Sequence, residues 1–176
     1  MAIAQSSASA DTTTVKSTGS SAARTLANRF NDVVNVLDYG AVADNATDIA
    51  TALEAYKTTV GSNQSTLLFS GTNNIFFLNT NVTLPSNINV KVERGAEIRV
   101  NSGTTLTIEG AVTAGNYQIF RAASGDVSIP GTLGYQKTFS PLWFDSTDAT
   151  DLGEKINKAF TAGGADTHVL VPAGAF

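Results

Sequence analysis

One pattern occurs twice in this chain. Thr47-Asp48-Ile49-Ala50-Thr51-Ala52-Leu53 leads through a helix-length stretch to Leu67-Leu68-Phe69-Ser70-Gly71. Thr150-Asp151-Leu152-Gly153-Glu154-Lys155-Ile156 leads in the same way to Leu170-Val171-Pro172-Ala173-Gly174. The two copies align without a gap. A recurring unit of turn, helix, short apolar strand and Gly predicts a structural module opened twice. A strand-rich body follows the first copy, whereas the second stops at Phe176, where that body would begin. The expectation is the front part of something longer.

Downstream of the first copy, short apolar runs lie at 67–69, 75–78, 82–84, 88–92, 98–100, 106–108, 117–120 and 127–129. Several alternate cleanly, as Ile88-Asn89-Val90-Lys91-Val92 does, which predicts strands with one face buried. No Asn-Gly or Asp-Gly dipeptide separates them, so tight two-residue hairpins are poorly supported. Short strands joined by bends predict a mainly β fold that coils and stacks rung on rung. Upstream, 33–37 reads as a strand and 38–45 as a turn into a helix starting near Asp48. Asp48 and Asp151 are the expected helix caps, since a carboxylate there accepts from free N–H groups and suits the helix dipole. Glu154, three residues after Asp151, completes a capping box.

Composition narrows the function. Charged residues make up 15% of the chain, well below the usual quarter. Surface polarity must then come from Ser, Thr and Asn, which suit turns and strands better than helices. The net charge of −4 and the lack of a basic stripe exclude a nucleic-acid partner. Without Cys there are no disulfides or thiolate metal sites. No apolar run is long enough to insert in a membrane, and the N-terminus lacks the features of a secretory signal.

Residues 2–21 are dominated by Ser, Thr and Ala and cannot bury enough apolar surface to order alone. Two readings stand: a disordered tail, or an arm that orders on a partner, with the Thr12-Thr13-Thr14-Val15 stretch adding to a neighbouring sheet edge. Residues 22–31 place Ala23, Leu26, Ala27 and Phe30 on one face of a short helix. Thr12, Thr13, Val15, Leu26 and Phe30 are therefore the candidate partner-binding residues. The chain divides into an anchoring arm and helix at 1–32, a first module at 33–138 and the start of a second at 139–176.

The stretch Val34-Asn35-Val36-Leu37-Asp38-Tyr39-Gly40-Ala41-Val42-Ala43-Asp44-Asn45-Ala46-Thr47-Asp48 resembles the opening motif of the pectate-lyase-like superfamily. Asn45 stands where that motif usually has Gly, and Ile49 replaces its second Asp. Thr18 to Phe30 is similar to the linker that precedes the motif in bacteriophage tailspikes and tail fibres. Ser140-Pro141-Leu142-Trp143-Phe144 through Gly174 resembles their re-entry motif, with its turn shortened to Asp145-Ser146-Thr147-Asp148. The resemblance implies a right-handed parallel β-helix with small capping helices, a homotrimer, and a place on the phage tail. It further implies a virion structural role in host adsorption, in which residues 1–32 attach to a tail or baseplate protein. The alternative it brings is a polysaccharide depolymerase, lyase or hydrolase, acting on host surface glycan, with any such activity expected beyond residue 176.

Sites for chemistry are few. Glycoside cleavage needs two carboxyl groups about 5–10 Å apart, and Glu93, Glu97, Glu109 and Asp126 are the strand-body candidates; all four read better as solvated turn residues. Asp38, Asp44 and Asp48 suggest Ca²⁺ ligands, but their spacing fits no EF-hand and turns and caps account for each. His168 has no nucleophile motif beside it, and no phosphate-loop signature occurs. No catalytic, metal or cofactor site is expected. Trp143-Phe144 reads as a packing plug between the modules, or else as a sugar-stacking platform in a passive carbohydrate-binding module.

Overall fold

The computed structural model describes residues 13–16, 23–30, 32–121, 126–130, 137–146 and 151–173. Two short antiparallel strands come first, β1 (Thr14–Val15) and β2 (Arg24–Thr25), followed by helix α1 (Leu26–Phe30). Next are β3 (Val33–Asn35), a 3-10 turn over Val36–Tyr39, β4 (Asp44–Asp48) and helix α2 (Ala50–Val60). Nine strands follow: β5 (Ser65–Phe69), β6 (Asn74–Leu78), β7 (Val82–Leu84), β8 (Ile88–Val92), β9 (Ala96–Val100), β10 (Thr105–Ile108), β11 (Val112–Thr113), β12 (Phe120–Arg121) and β13 (Asp126–Ser128). The last described group is β14 (Lys137–Phe139), a 3-10 turn over Pro141–Trp143, helix α3 (Leu152–Gly163) and β15 (Thr167–Val169).

The molecule is mainly β, and its principal sheets are parallel. The first sheet has the order β3-β5-β8-β11, the second β4-β6-β9-β12 and the third β7-β10-β13. From β5 to β13 the chain visits first, second and third sheet in that order, three times over. Registers repeat: Phe76 lies opposite Ile98 and Ile98 opposite Phe120, a constant step of 22 residues. Each strand alternates as its sequence does. Leu67, Val90, Phe76 and Ile98 point into the core, while Thr83, Thr107 and Ser128 line the outer face of the third sheet in register.

Two devices let the tiers lie close together. Short polar side chains satisfy the backbone at the corners: Asn81 accepts from the Thr105 N–H (2.8 Å), Asn89 from the Ala111 N–H (3.1 Å), and Asn87 donates to the Gly61 and Asn63 carbonyls (3.0 and 2.7 Å). At Gly110 the backbone passes so near the Ile88 carbonyl that any Cβ would overlap it.

The two repeat helices cover opposite ends of the third sheet, α2 against β7 and α3 against β13. Their ends match. Gly61 and Gly164 both take positive φ (56° and 66°) and donate to Lys57 and Phe160, which are corresponding residues of the two copies. Their packing differs. Helix α2 buries Leu53 and Tyr56, the latter donating to Ser65 Oγ (2.8 Å) and meeting the Tyr39 ring edge-on. Helix α3 sits closer on Ala159, Ala162 and Gly163, where a Cβ would strike Phe139 and Thr167. Phe144 then bridges Phe120 in parallel, extending the second sheet, and Trp143 Nε1 donates to the Gly115 carbonyl (2.9 Å). One core cluster runs from Val34 to Ala162, so packing continues across the 138/139 boundary.

Several local expectations need correction. Among the described residues of the 22–31 stretch, Leu26–Phe30 is helical, while Arg24 and Thr25 pair with Val15 and Thr14. Within the chain, Thr14–Val15 pairs with β2. The strand expected at 33–37 ends at Asn35, whose side chain accepts from the Leu37 N–H (3.0 Å) and turns the chain into a 3-10 turn. Asp44 and Asn45, read as the end of a turn, and Asp48, read as the start of a helix, all lie in β4, which pairs in parallel with β6. At 117–120 only Phe120 enters a strand, β12, while Val112–Thr113, not anticipated, forms β11.

Candidate functional site

Among the candidate partner-binding residues, Thr12 lies outside the described residues. The others come together around the β1–β2 ribbon. The Thr13 carbonyl accepts from the Leu26 N–H (2.8 Å), and the Val15 carbonyl accepts from Arg29 Nη2 (3.4 Å). Leu26 is half-buried there, while Phe30 on the last turn of α1 stays 63% exposed. Val33, Leu37 and Val42, which follow within the same tier, are also exposed. A row of exposed apolar residues thus runs along the sequence at 30, 33, 37 and 42, and among the described residues β3 has β5 as its one neighbour in the sheet.

Asp151 occupies the N-cap of α3, and its carboxylate accepts from the Glu154 N–H (3.0 Å). Asp48 does something else. It is the last residue of β4, in register with Phe77, so the chain is still extended there and the helix begins only at Ala50, with Ile49 as N-cap. The Asp48 carboxylate accepts from the Ala50 N–H (3.1 Å) and, across the tier, from the Asn79 N–H (3.1 Å) and Thr80 Oγ1 (2.7 Å). It ties the start of α2 to the turn after β6. Asp44 accepts from the Thr47 N–H (2.7 Å), Thr47 Oγ1 (2.7 Å) and the Ala46 N–H (2.9 Å), which hold its carboxyl below the usual carboxylate range.

Glu93 pairs loosely with Lys91 (3.5 Å), Glu97 is engaged by Arg121, Glu109 follows β10, and Asp126 is exposed at the start of β13. Among the described residues no group of three or more His, Asp or Glu side chains is placed to hold a metal ion. His168 is exposed on β15, opposite Thr138. Trp143 and Phe144 are buried, with Trp143 edge-on to Phe139, so neither ring face is free to stack on a sugar. No described helix is long and apolar enough to cross a membrane. Lys158 holds α3 in place through Asp145 Oδ1 (3.0 Å), the Asp145 carbonyl (2.9 Å) and Glu154 Oε1 (3.1 Å). Burial lowers its pKa, but the bonds to Asp145 and Glu154 outweigh that and raise it.

One surface was not anticipated. The outer face of the second sheet aligns Phe77, Arg99 and Arg121 in register. Arg99 lies over the Phe77 ring, with Cζ 5.3 Å from its centroid, and donates from Nη1 to Asn45 Oδ1 (3.0 Å). Arg121 donates from Nε to Glu97 Oε2 (2.8 Å), with Nη2 also at 2.8 Å. Asn45 is held in the left-handed region (φ 63°), a conformation Asn adopts more readily than most residues. The signal that would have found this face is the 22-residue step, which separates Phe77, Arg99 and Arg121 in sequence.

Comparison with protein-family models, with curated proteins and with solved structures yields no match for this chain.

Proposed function

We propose that this chain is a virion structural protein, the N-terminal, tail- or baseplate-attaching part of a phage tailspike or tail fibre, assembled as a homotrimer. In this reading the three parallel sheets are the faces of a right-handed parallel β-helix. The observation that carries it is the repeated visiting, from β5 to β13, of three parallel sheets in one order, at steps of 22 residues in the second sheet and between 21 and 24 in the others, with the repeat helices over both ends of the third sheet. Such tiers make a stiff rod, which suits a tail appendage. The motifs at 34–48 and 140–174 and the exposed apolar row that includes Phe30 support the same reading. The test is twofold. Sedimentation of the purified chain is expected to give three times the 18.3 kDa protomer mass. Cross-linking from residues 1–32 in assembled particles is expected to reach a tail or baseplate protein. A monomer that contacts no tail protein overturns the proposal.

A further inference from the structure

We propose that the outer face of the second sheet is an oxyanion site, in which Arg99 and Arg121 take a carboxylate, sulfate or phosphate group of a ligand. Arg99 and Arg121 are direct neighbours on β9 and β12. Parallel strands lie about 4.8 Å apart, and like charges directly opposite one another on a sheet are unfavourable. A fold with so few charged residues has no need to stack two of the same sign. The compensation is unequal. Arg121 has Glu97, which it meets with two nitrogens. Arg99 has no carboxylate among the described residues; it has the neutral Asn45 amide oxygen and the Phe77 ring.

The other acids of this sheet are already committed. Asp48 accepts three hydrogen bonds at the end of β4, Asp44 accepts three within its own turn, and Asp145, which follows the Phe144–Phe120 bridge, is paired with Lys158. In direct contact the two guanidinium groups share one carboxylate, Glu97, on a protein whose net charge is −4. A guanidinium carries five donors in a planar fork matched to oxyanions. Arg99 is already clamped by Asn45 and Phe77, so little rotamer freedom is lost when a ligand arrives. A local conflict that the rest of the fold tolerates is characteristic of a functional position. An oxyanion bridging Arg99 and Arg121 removes that conflict.

The test is an NMR titration of the ¹⁵N-labelled chain with sodium sulfate, phosphate or acetate, against chloride at matched ionic strength. The Arg99 and Arg121 Nε–H signals and the amides of Ile98, Arg99, Phe120 and Arg121 are followed. Saturable shifts confined to these groups are expected. Stronger saturation by acetate assigns a carboxylate ligand; stronger saturation by sulfate or phosphate assigns a tetrahedral one. Arg99→Gln is expected to weaken binding about tenfold, as loss of a charge-assisted hydrogen bond does. Glu97→Gln, which frees Arg121, is expected to tighten binding severalfold, and it decides the matter if the Arg99 variant does not fold. Shifts that rise linearly as in chloride, shifts spread over all Lys and Arg residues, or unchanged affinity in Glu97→Gln overturn the proposal.

Discussion

At Gly110 the geometry leaves room for hydrogen and nothing more. Gly110→Ala would drive a methyl group into the Ile88 carbonyl, a backbone atom that cannot rotate away. Overpacking of this kind costs about 1–3 kcal/mol, and urea denaturation is expected to show the midpoint falling accordingly, with the slope unchanged. An unchanged midpoint would mean that the tiers are not so closely stacked. Tyr56 gives a second test with a sign in pH. Burial raises its pKa above the ordinary value of 10.0, more than the Ser65 bond lowers it. A group whose pKa is raised on folding holds its proton longer in the native state than in the unfolded one. Its contribution is therefore intact below the unfolded value and is lost as pH rises above about 10. Tyr56→Phe is expected to cost about 1 kcal/mol at neutral pH through the lost hydrogen bond. It should also flatten the alkaline fall in stability seen in the parent; an equally steep fall in the variant would refute the assignment.

The two repeat helices turn the same sequence signal into different contacts. Asp151→Ala removes one capping bond and is expected to cost about 1 kcal/mol. Asp48→Ala removes three acceptor contacts, two of them to the next tier, and is expected to cost about 2 kcal/mol, measured by the same denaturation. Equal losses would argue that both residues are plain caps. The difference was hidden in the sequence because Thr-Asp before a helical pattern reads the same in both copies. Only the pairing of β4 with β6, a long-range event, keeps Asp48 extended. Strands with clean alternation, such as 88–92, were legible because periodicity is local. Asp44–Asp48 was not, since three of its five residues are Asp or Asn and its strand state comes from the neighbour it pairs with. The Arg99–Arg121 face was likewise invisible until the register was known. In the second copy, Leu170 is 65% exposed while its counterpart Leu67 is fully buried. Among the described residues β5 lies between β3 and β8, whereas Leu170 follows β15, which has β14 as its one partner strand.

At the scale of the whole molecule, stability should follow position in the stack. Within each sheet, a strand's protection depends on how many of its edges are hydrogen-bonded to a neighbour. The middle tier is covered on both sides in every sheet: β8 lies between β5 and β11, β9 between β6 and β12, and β10 between β7 and β13. Among the described residues strands β3 and β4 have one partner strand each, and the two repeat helices contact the end strands of the third sheet. Hydrogen exchange followed by mass spectrometry is expected to find the slowest amides in β8, β9 and β10, with faster exchange in β3, β4 and β11. Substitution adds a second axis. Ile98, almost fully buried in β9, makes its contacts at the centre of the stack, and Ile98→Ala is expected to cost about 3 kcal/mol. Because the middle tier joins the other two, that variant should speed exchange in every strand, whereas Val34→Ala in β3 should speed it chiefly in the first tier. Uniform exchange in the parent chain, or a purely local effect of Ile98→Ala, would show that the three sheets do not act as one coupled stack.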